Sequence, residues 1–123
     1  WPAGVLGLQV GLLSAILIAI NNLRDVEEDR RSHKNTVAVR FGSAVIHRMI
    51  AAFVVVAMML SFLGNFYGAP WFPVLSIPWF LIGLFCVKGV KASPPSERYN
   101  RFLAIAAIQL MLFAVLFTVA VSL

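Results

Sequence analysis

The sequence predicts an all-α fold, a polytopic transmembrane helix bundle with four spans. Three observations carry that reading. The chain has 123 residues, of which 61% are hydrophobic and only 12% charged, about half the roughly 25% charge of a soluble domain. Its uncharged runs have lengths that fit a bilayer. Its charges gather in the stretches between those runs. Such a surface is hard to keep hydrated, so lipid is the expected solvent. The runs lack polar/apolar alternation, and open sheet edges do not lie in hydrocarbon, which excludes strands.

A helix needs roughly 20 apolar residues to cross the hydrocarbon core. Residues 3–23 supply 21 without a charge. Residues 49–87 supply 39, too many for one span and enough for two. Gly64, Asn65, Gly68, Pro70 and Pro73 give the turn signal between them. Residues 102–123 supply 22 more. The expected helices are therefore 3–23, 44–64, 73–90 and 100–122. Pro78 falls inside the third and is expected to kink it or delay its start.

All ten Lys and Arg lie in the connections 24–43 and 91–99 or at the helix ends beside them. The positive-inside rule places both connections in the cytoplasm of a multi-pass protein of the cell (inner or plasma) membrane. Trp71, Trp79, Phe66 and Tyr67 are expected to form an aromatic belt at the other face. The net charge of +5 is thus a topology signal. A nucleic-acid partner is not expected, because no basic face with interleaved aromatics on a soluble fold is present. Cys86 stands alone in an apolar run, which excludes a disulfide framework and a CxxC metal site. The first residue is Trp1, not Met, and the chain is read as part of something longer.

Residues 21–42, NNLRDVEEDRRSHKNTVAVRFG, hold nine of the fifteen charged residues, including four of the five acids. If the first helix continues for two turns beyond Leu23, then Asn21, Asp25, Asp29 and His33 share one stripe, with Asn22 beside it. Two carboxylates one turn apart suit a hard cation. Mg²⁺ is often held by one or two carboxylates plus substrate phosphates. Asn21 and Asn22 add neutral polar groups where the helix leaves the membrane. Arg30, Lys34 and Arg40 can meet phosphate oxygens, Arg as a fork and Lys as a point charge.

A second reading stays open for the same segment. Arg24 with Glu28 and Glu27 with Arg31 are i,i+4 pairs, as on any solvated helix face. Acids at a membrane edge are nonetheless costly, and are functional hypotheses by default. Arg31 and Arg48 fit the topology signal alone. His33 is read as an exposed loop residue and His47 as interfacial.

The segment resembles the second aspartate-rich motif of the UbiA superfamily of intramembrane prenyltransferases. The form NN-x-RD-x3-D-x4-K-x-T-x-AVR-x-G is most similar to the branch that prenylates 1,4-dihydroxy-2-naphthoate in menaquinone synthesis. The resemblance implies the C-terminal four helices of a nine-helix bundle. It implies transfer of a polyprenyl group from its diphosphate to an aromatic acceptor, with Mg²⁺ held between two facing Asp-rich motifs. Asp25 and Asp29 match the metal-binding aspartates of that motif. Asn21, Asn22 and Arg24 match its lead-in, near substrate and diphosphate, and Lys34 matches the basic residue that meets the diphosphate. His33 stands where several branches carry a third Asp, a departure the naphthoate branch shares. The first Asp-rich motif has no counterpart here, since the only other acid is Glu97. The missing upstream helices are therefore an expected partner, and the fragment alone is expected to be inactive.

In the loop KASPPSERYN, Ser96 is a candidate helix cap. Tyr99, Asn100 and Arg101 are candidates to touch the acceptor, against the simpler reading of a plain connection. Gln109, within the last span, is expected to bond a neighbouring helix. Two other functions compete with the enzyme. A four-helix assembly module would leave residues 21–42 as a salt-bridged joint. A channel would need more polar residues inside the spans than Ser14, Ser61 and Gln109.

Overall fold

Residues that must leave water but satisfy every backbone group within their own segment have the α-helix as their simplest solution, and the chain takes it throughout. The computed structural model describes residues 1–123. Helix α1 is Pro2–Arg24, α2 Val26–Arg31, α3 Val37–Phe41 and α4 Ser43–Ser61, which tightens into a 3₁₀ turn at Phe62–Phe66. Then follow α5 Phe72–Leu75, α6 Ile77–Ala92 and α7 Tyr99–Ser122. There is no strand. Four stretches are long and apolar enough to cross a membrane: Pro2–Arg24, Ser43–Phe66, Phe72–Ala92 and Tyr99–Ser122.

Helix α1 packs against α4 and α7, and α6 packs against the same two, so the four spans stand in a square. Each buries one narrow stripe. One shared core gathers Ile16, Ile20 and Leu23 of α1, Ile46, Ile50 and Val54 of α4, Trp79, Cys86 and Val90 of α6, and Ala106 and Phe113 of α7. The other faces stay apolar and exposed, with Ile18, Phe85 and Met111 among them. Outside water such faces cost nothing, and contact is driven by close packing and by polar bonds between helices. Gly83 illustrates the first. A Cβ there would lie 2.4 Å from Gln109 Nε2 and 2.9 Å from Val54 Cγ1, so only glycine lets α6 approach. Gln9 illustrates the second. Its Nε2 donates to Ala57 O at 2.9 Å and Ser61 Oγ at 3.1 Å, and Ser76 Oγ donates to Ser61 Oγ at 3.0 Å.

Several sequence expectations are refined. The third span breaks at Ser76, and α6 restarts with Pro78 in its first turn, where the missing N–H is not needed. Trp79 is not part of an aromatic belt. It is fully buried, 5.7 Å from the Phe113 ring. Trp71 and Phe66 are exposed, and Tyr67 stacks edge-on against Trp1 at 5.7 Å. The connection 24–43 is not a plain loop, since it contains α2 and α3. Thr36 caps α3 by accepting the Val39 N–H at 3.4 Å. Gly42, at φ +82°, turns the chain directly into α4.

The charged rim as candidate functional site

Asp25 marks the end of α1. Its backbone, at φ −97° and ψ 9°, separates α1 from α2, yet the hydrogen-bond ladder runs through. Asp25 N–H donates to Asn21 O at 3.1 Å and Asp29 N–H to Asp25 O at 2.8 Å. The two aspartates therefore stay one turn apart, but the bend reorients them. Asp25 is part-exposed and faces a polar recess of about 750 Å³ between the α1–α2 corner and the loop before α7. Asp29 is buried and does not line that recess.

Each aspartate has its own cation. Arg24 grips Asp25 with both ends of its fork, Nε to Oδ1 at 2.7 Å and Nη2 to Oδ2 at 2.9 Å. Its remaining arm, Nη1, donates to Asn100 Oδ1 at 2.7 Å and ties the rim to α7. The hydrogen bond from Arg24 holds the Asp25 carboxyl below the usual carboxylate range. Partial burial opposes this, and the charges of Arg24 and Lys34 reinforce it. Lys34 Nζ lies 3.3 Å from Asp29 Oδ1, so the Lys34 ammonium acts on both aspartates.

The turn that brings Lys34 back is built by the backbone. His33 is the one non-glycine residue with a left-handed backbone, at φ +59°. With it there, Lys34 N–H donates to Asp29 O at 2.9 Å and His33 N–H to Arg30 O at 3.3 Å. That is a Schellman cap on α2. Ser32 Oγ adds a bond to Glu28 O at 3.0 Å.

The remaining candidates are spread around the rim. Asn21 is exposed. Asn22 is half-buried and lines a small apolar crevice with Val37, Ile46 and Met49. Arg30 pairs with Glu27 at 2.9 Å on the surface. Arg40 lies on α3, 5.4 Å over the Phe41 ring. The i,i+4 pairs expected from spacing are replaced by Arg24–Asp25 and Glu27–Arg30. Tyr99 is structural. Its hydroxyl lies 2.9 Å from Val90 O and 2.8 Å from Ser93 O and closes the α6–α7 corner. Ser96 accepts the Arg98 N–H at 3.3 Å, one turn before α7 begins. Sequence reasoning placed Glu28, Ser96 and Glu97 in no site, yet all three line the recess. Ser96 and Glu97 come there only because the 93–98 loop folds against the α1–α2 corner, and no local pattern signals it.

No third His, Cys, Asp or Glu joins the two aspartates in a preformed metal cage. The two carboxylates, each beside a cationic side chain, are hard oxygen donors of the kind Mg²⁺ prefers.

The sequence matches the family described as the UbiA prenyltransferase family over residues 1–117. It is 32% identical over 98 residues to a 1,4-dihydroxy-2-naphthoate octaprenyltransferase of Mycobacterium tuberculosis, which covers 80% of this chain and 28% of that protein. A protein with the same name from Mycobacterium leprae is 39% identical over 61 residues, covering 50% of this chain and 21% of its own length. One from Haemophilus influenzae is 54% identical over 33 residues, 27% of this chain and 11% of that protein. The chain thus spans less than a third of the length of these relatives. No solved structure matches it.

Proposed function

On the premise that this chain belongs to the UbiA prenyltransferase family, we propose that it is part of an Mg²⁺-dependent intramembrane enzyme. The enzyme moves a polyprenyl group from its diphosphate to 1,4-dihydroxy-2-naphthoate, giving CO₂, diphosphate and the hydroquinone form of demethylmenaquinone. The observation that carries this reading is the paired arrangement at the rim: Asp25 with Arg24 and Asp29 with Lys34, one helical turn apart at the end of a membrane helix. The choice of acceptor draws on the relatives, which are 1,4-dihydroxy-2-naphthoate octaprenyltransferases.

Asp25 and Asp29 are the residues that would hold Mg²⁺, which would supply charge neutralisation for the leaving diphosphate. The chain's own residues do the rest. Arg24 and Lys34 hold phosphate oxygens where negative charge grows. Asn100 keeps Arg24 aimed across the recess. Asn21, Asn22, Arg30 and Arg40 form the outer rim of the substrate site. The allylic C–O bond breaks and diphosphate leaves with the electron pair. The electron-rich ring carbon attacks the allylic cation, and CO₂ departs from that carbon, its bonding pair restoring the aromatic ring. The apolar bundle keeps out water, which would otherwise capture the cation. A second Asp-rich segment on further helices completes the site, and the charged rim faces the cytoplasm of the cell membrane.

The test uses the full-length protein in lipid. Transfer of labelled polyprenyl diphosphate to the naphthoate is measured with Mg²⁺ and with EDTA, for the wild type, Asp25→Asn and Asp29→Asn. Loss of transfer in both variants and with EDTA, at preserved expression, is expected. Turnover retained by both variants ends the metal role. A panel with 4-hydroxybenzoate, homogentisate and chlorophyllide tests the acceptor.

A further inference from the structure

Successive residues of a helix point about 100° apart, so the start of α7 divides between two sides. Glu97 and Asn100 line the recess beside α1. Arg98 and Arg101 line a different groove, of about 470 Å³, between α6 and α7. Gly89 and Phe102 shape its wall. A Cβ on Gly89 would lie 2.4 Å from Phe102 Cε1, so the ring occupies the space a side chain would take. Ser93 adds a polar group at the mouth.

Below the mouth the character changes. Phe85 and Ile105 line this groove and also line the apolar crevice beneath it, of about 390 Å³, which Leu81, Ile82 and Ile108 complete. The two are one channel, cationic at the charged rim and wholly apolar toward the middle of the span. Phe85 is 63% exposed and Leu81 58%, so the channel opens sideways along the bundle. Neither arginine has a carboxylate within ion-pair distance, and no acid lines the channel.

That gradient fits an amphiphile with an oxyanion head and a hydrocarbon tail. Two guanidinium forks suit a phosphodiester. The lack of a carboxylate leaves nothing to carry a metal-bound diphosphate. Basic pockets between spans recognise lipid head groups. We propose that the α6–α7 groove binds an anionic phospholipid of the surrounding leaflet, its phosphodiester between Arg98 and Arg101 and an acyl chain along Phe85 and Ile105.

The test reconstitutes full-length protein into nanodiscs of phosphatidylcholine with a minor share of phosphatidylglycerol and measures retained lipid by native mass spectrometry. Phosphatidylglycerol is expected to be enriched, and Arg98→Gln with Arg101→Gln to lower its retention about 25-fold, roughly five-fold per cation at a membrane surface. Ile105→Trp, which fills the crevice but keeps both arginines, is expected to lower it as well. Asp25→Asn retains the lipid, so failure here and failure of the proposed enzyme are read separately. Unchanged enrichment in the double variant, with helicity and elution preserved, overturns the proposal. So does displacement by millimolar inorganic phosphate, which would assign the groove to a free oxyanion. Tighter retention of a polyprenyl diphosphate than of phosphatidylglycerol would make it a substrate port instead, and also overturns it.

Discussion

Lys34 returns to Asp29 twice: its backbone N–H donates to the Asp29 carbonyl at 2.9 Å, and its ammonium lies 3.3 Å from Asp29 Oδ1. A helix cap and an ion pair thus share the same two residues, so the end of α2 and the charge arrangement of the rim form together.

Lys34→Met separates the two roles. The backbone cap survives, while the buried Asp29 carboxylate loses its counter-ion. Prenyl transfer by the full-length protein is expected to fall about a hundred-fold, the low end for removing one preorganised charge partner. Lys34→Arg should recover part of it. Steady-state kinetics with varied polyprenyl diphosphate checks this, and transfer at the wild-type rate would exclude Lys34 from the proposed diphosphate site.

His33 tests the cap itself. A β-branched residue at φ +59° is strained, so His33→Val is expected to cost about 1–2 kcal/mol. His33→Gly should be neutral or stabilising, because glycine enters that conformation freely. Hydrogen exchange at the Lys34 amide reports the cap directly: faster in the valine variant, unchanged or slower in the glycine variant. Equal exchange in both would show that the backbone turn does not depend on this residue.

Arg24 sets the titration of Asp25. Because the folded carboxyl is held below its ordinary value, its contribution to stability is fully present above the unfolded value. That contribution is lost as pH falls through the lower, folded one. Arg24→Gln removes the main cause, so the Asp25 titration and the acid limb of stability should both move up in pH. Carbon NMR of ¹³C-labelled Asp25 across an acid titration measures the shift. A midpoint unmoved by the substitution would contradict the hydrogen-bond assignment.

Gly83 tests the close approach of α6. Gly83→Val drives side-chain atoms into Gln109 and Val54 and is expected to cost about 1–3 kcal/mol, the usual range for overpacking. Gln109→Ala in the same chain makes room and should restore part of the loss. Gly7→Ala is the control, since nothing lies within 4 Å of its Cβ position, and it should stay within about 0.5 kcal/mol. Thermal unfolding in detergent orders the four proteins, and equal melting of the glycine and valine forms would rule out the packing argument.

The sequence by itself determined the four spans, the turn signals between them and the charged segment at 21–42, because bilayer thickness fixes span length and the cost of burying charge fixes where charges go. It also determined that Asp25 and Asp29 lie one turn apart, since that spacing is local. Tertiary structure decided the rest. That Arg24 reaches Asn100 as well as its neighbour Asp25 depends on the start of α7 lying against the end of α1. Whether Trp79 sits at the rim of the bundle or in its core depends on how α7 packs against α6, which sets Phe113 against its ring. Gln9, like any polar residue in an apolar run, acquires a meaning only when a carbonyl such as that of Ala57 is carried to it from 48 positions away. Periodicity ranks the faces of one helix, but side-chain partners are chosen across helices, by distances that no single segment encodes.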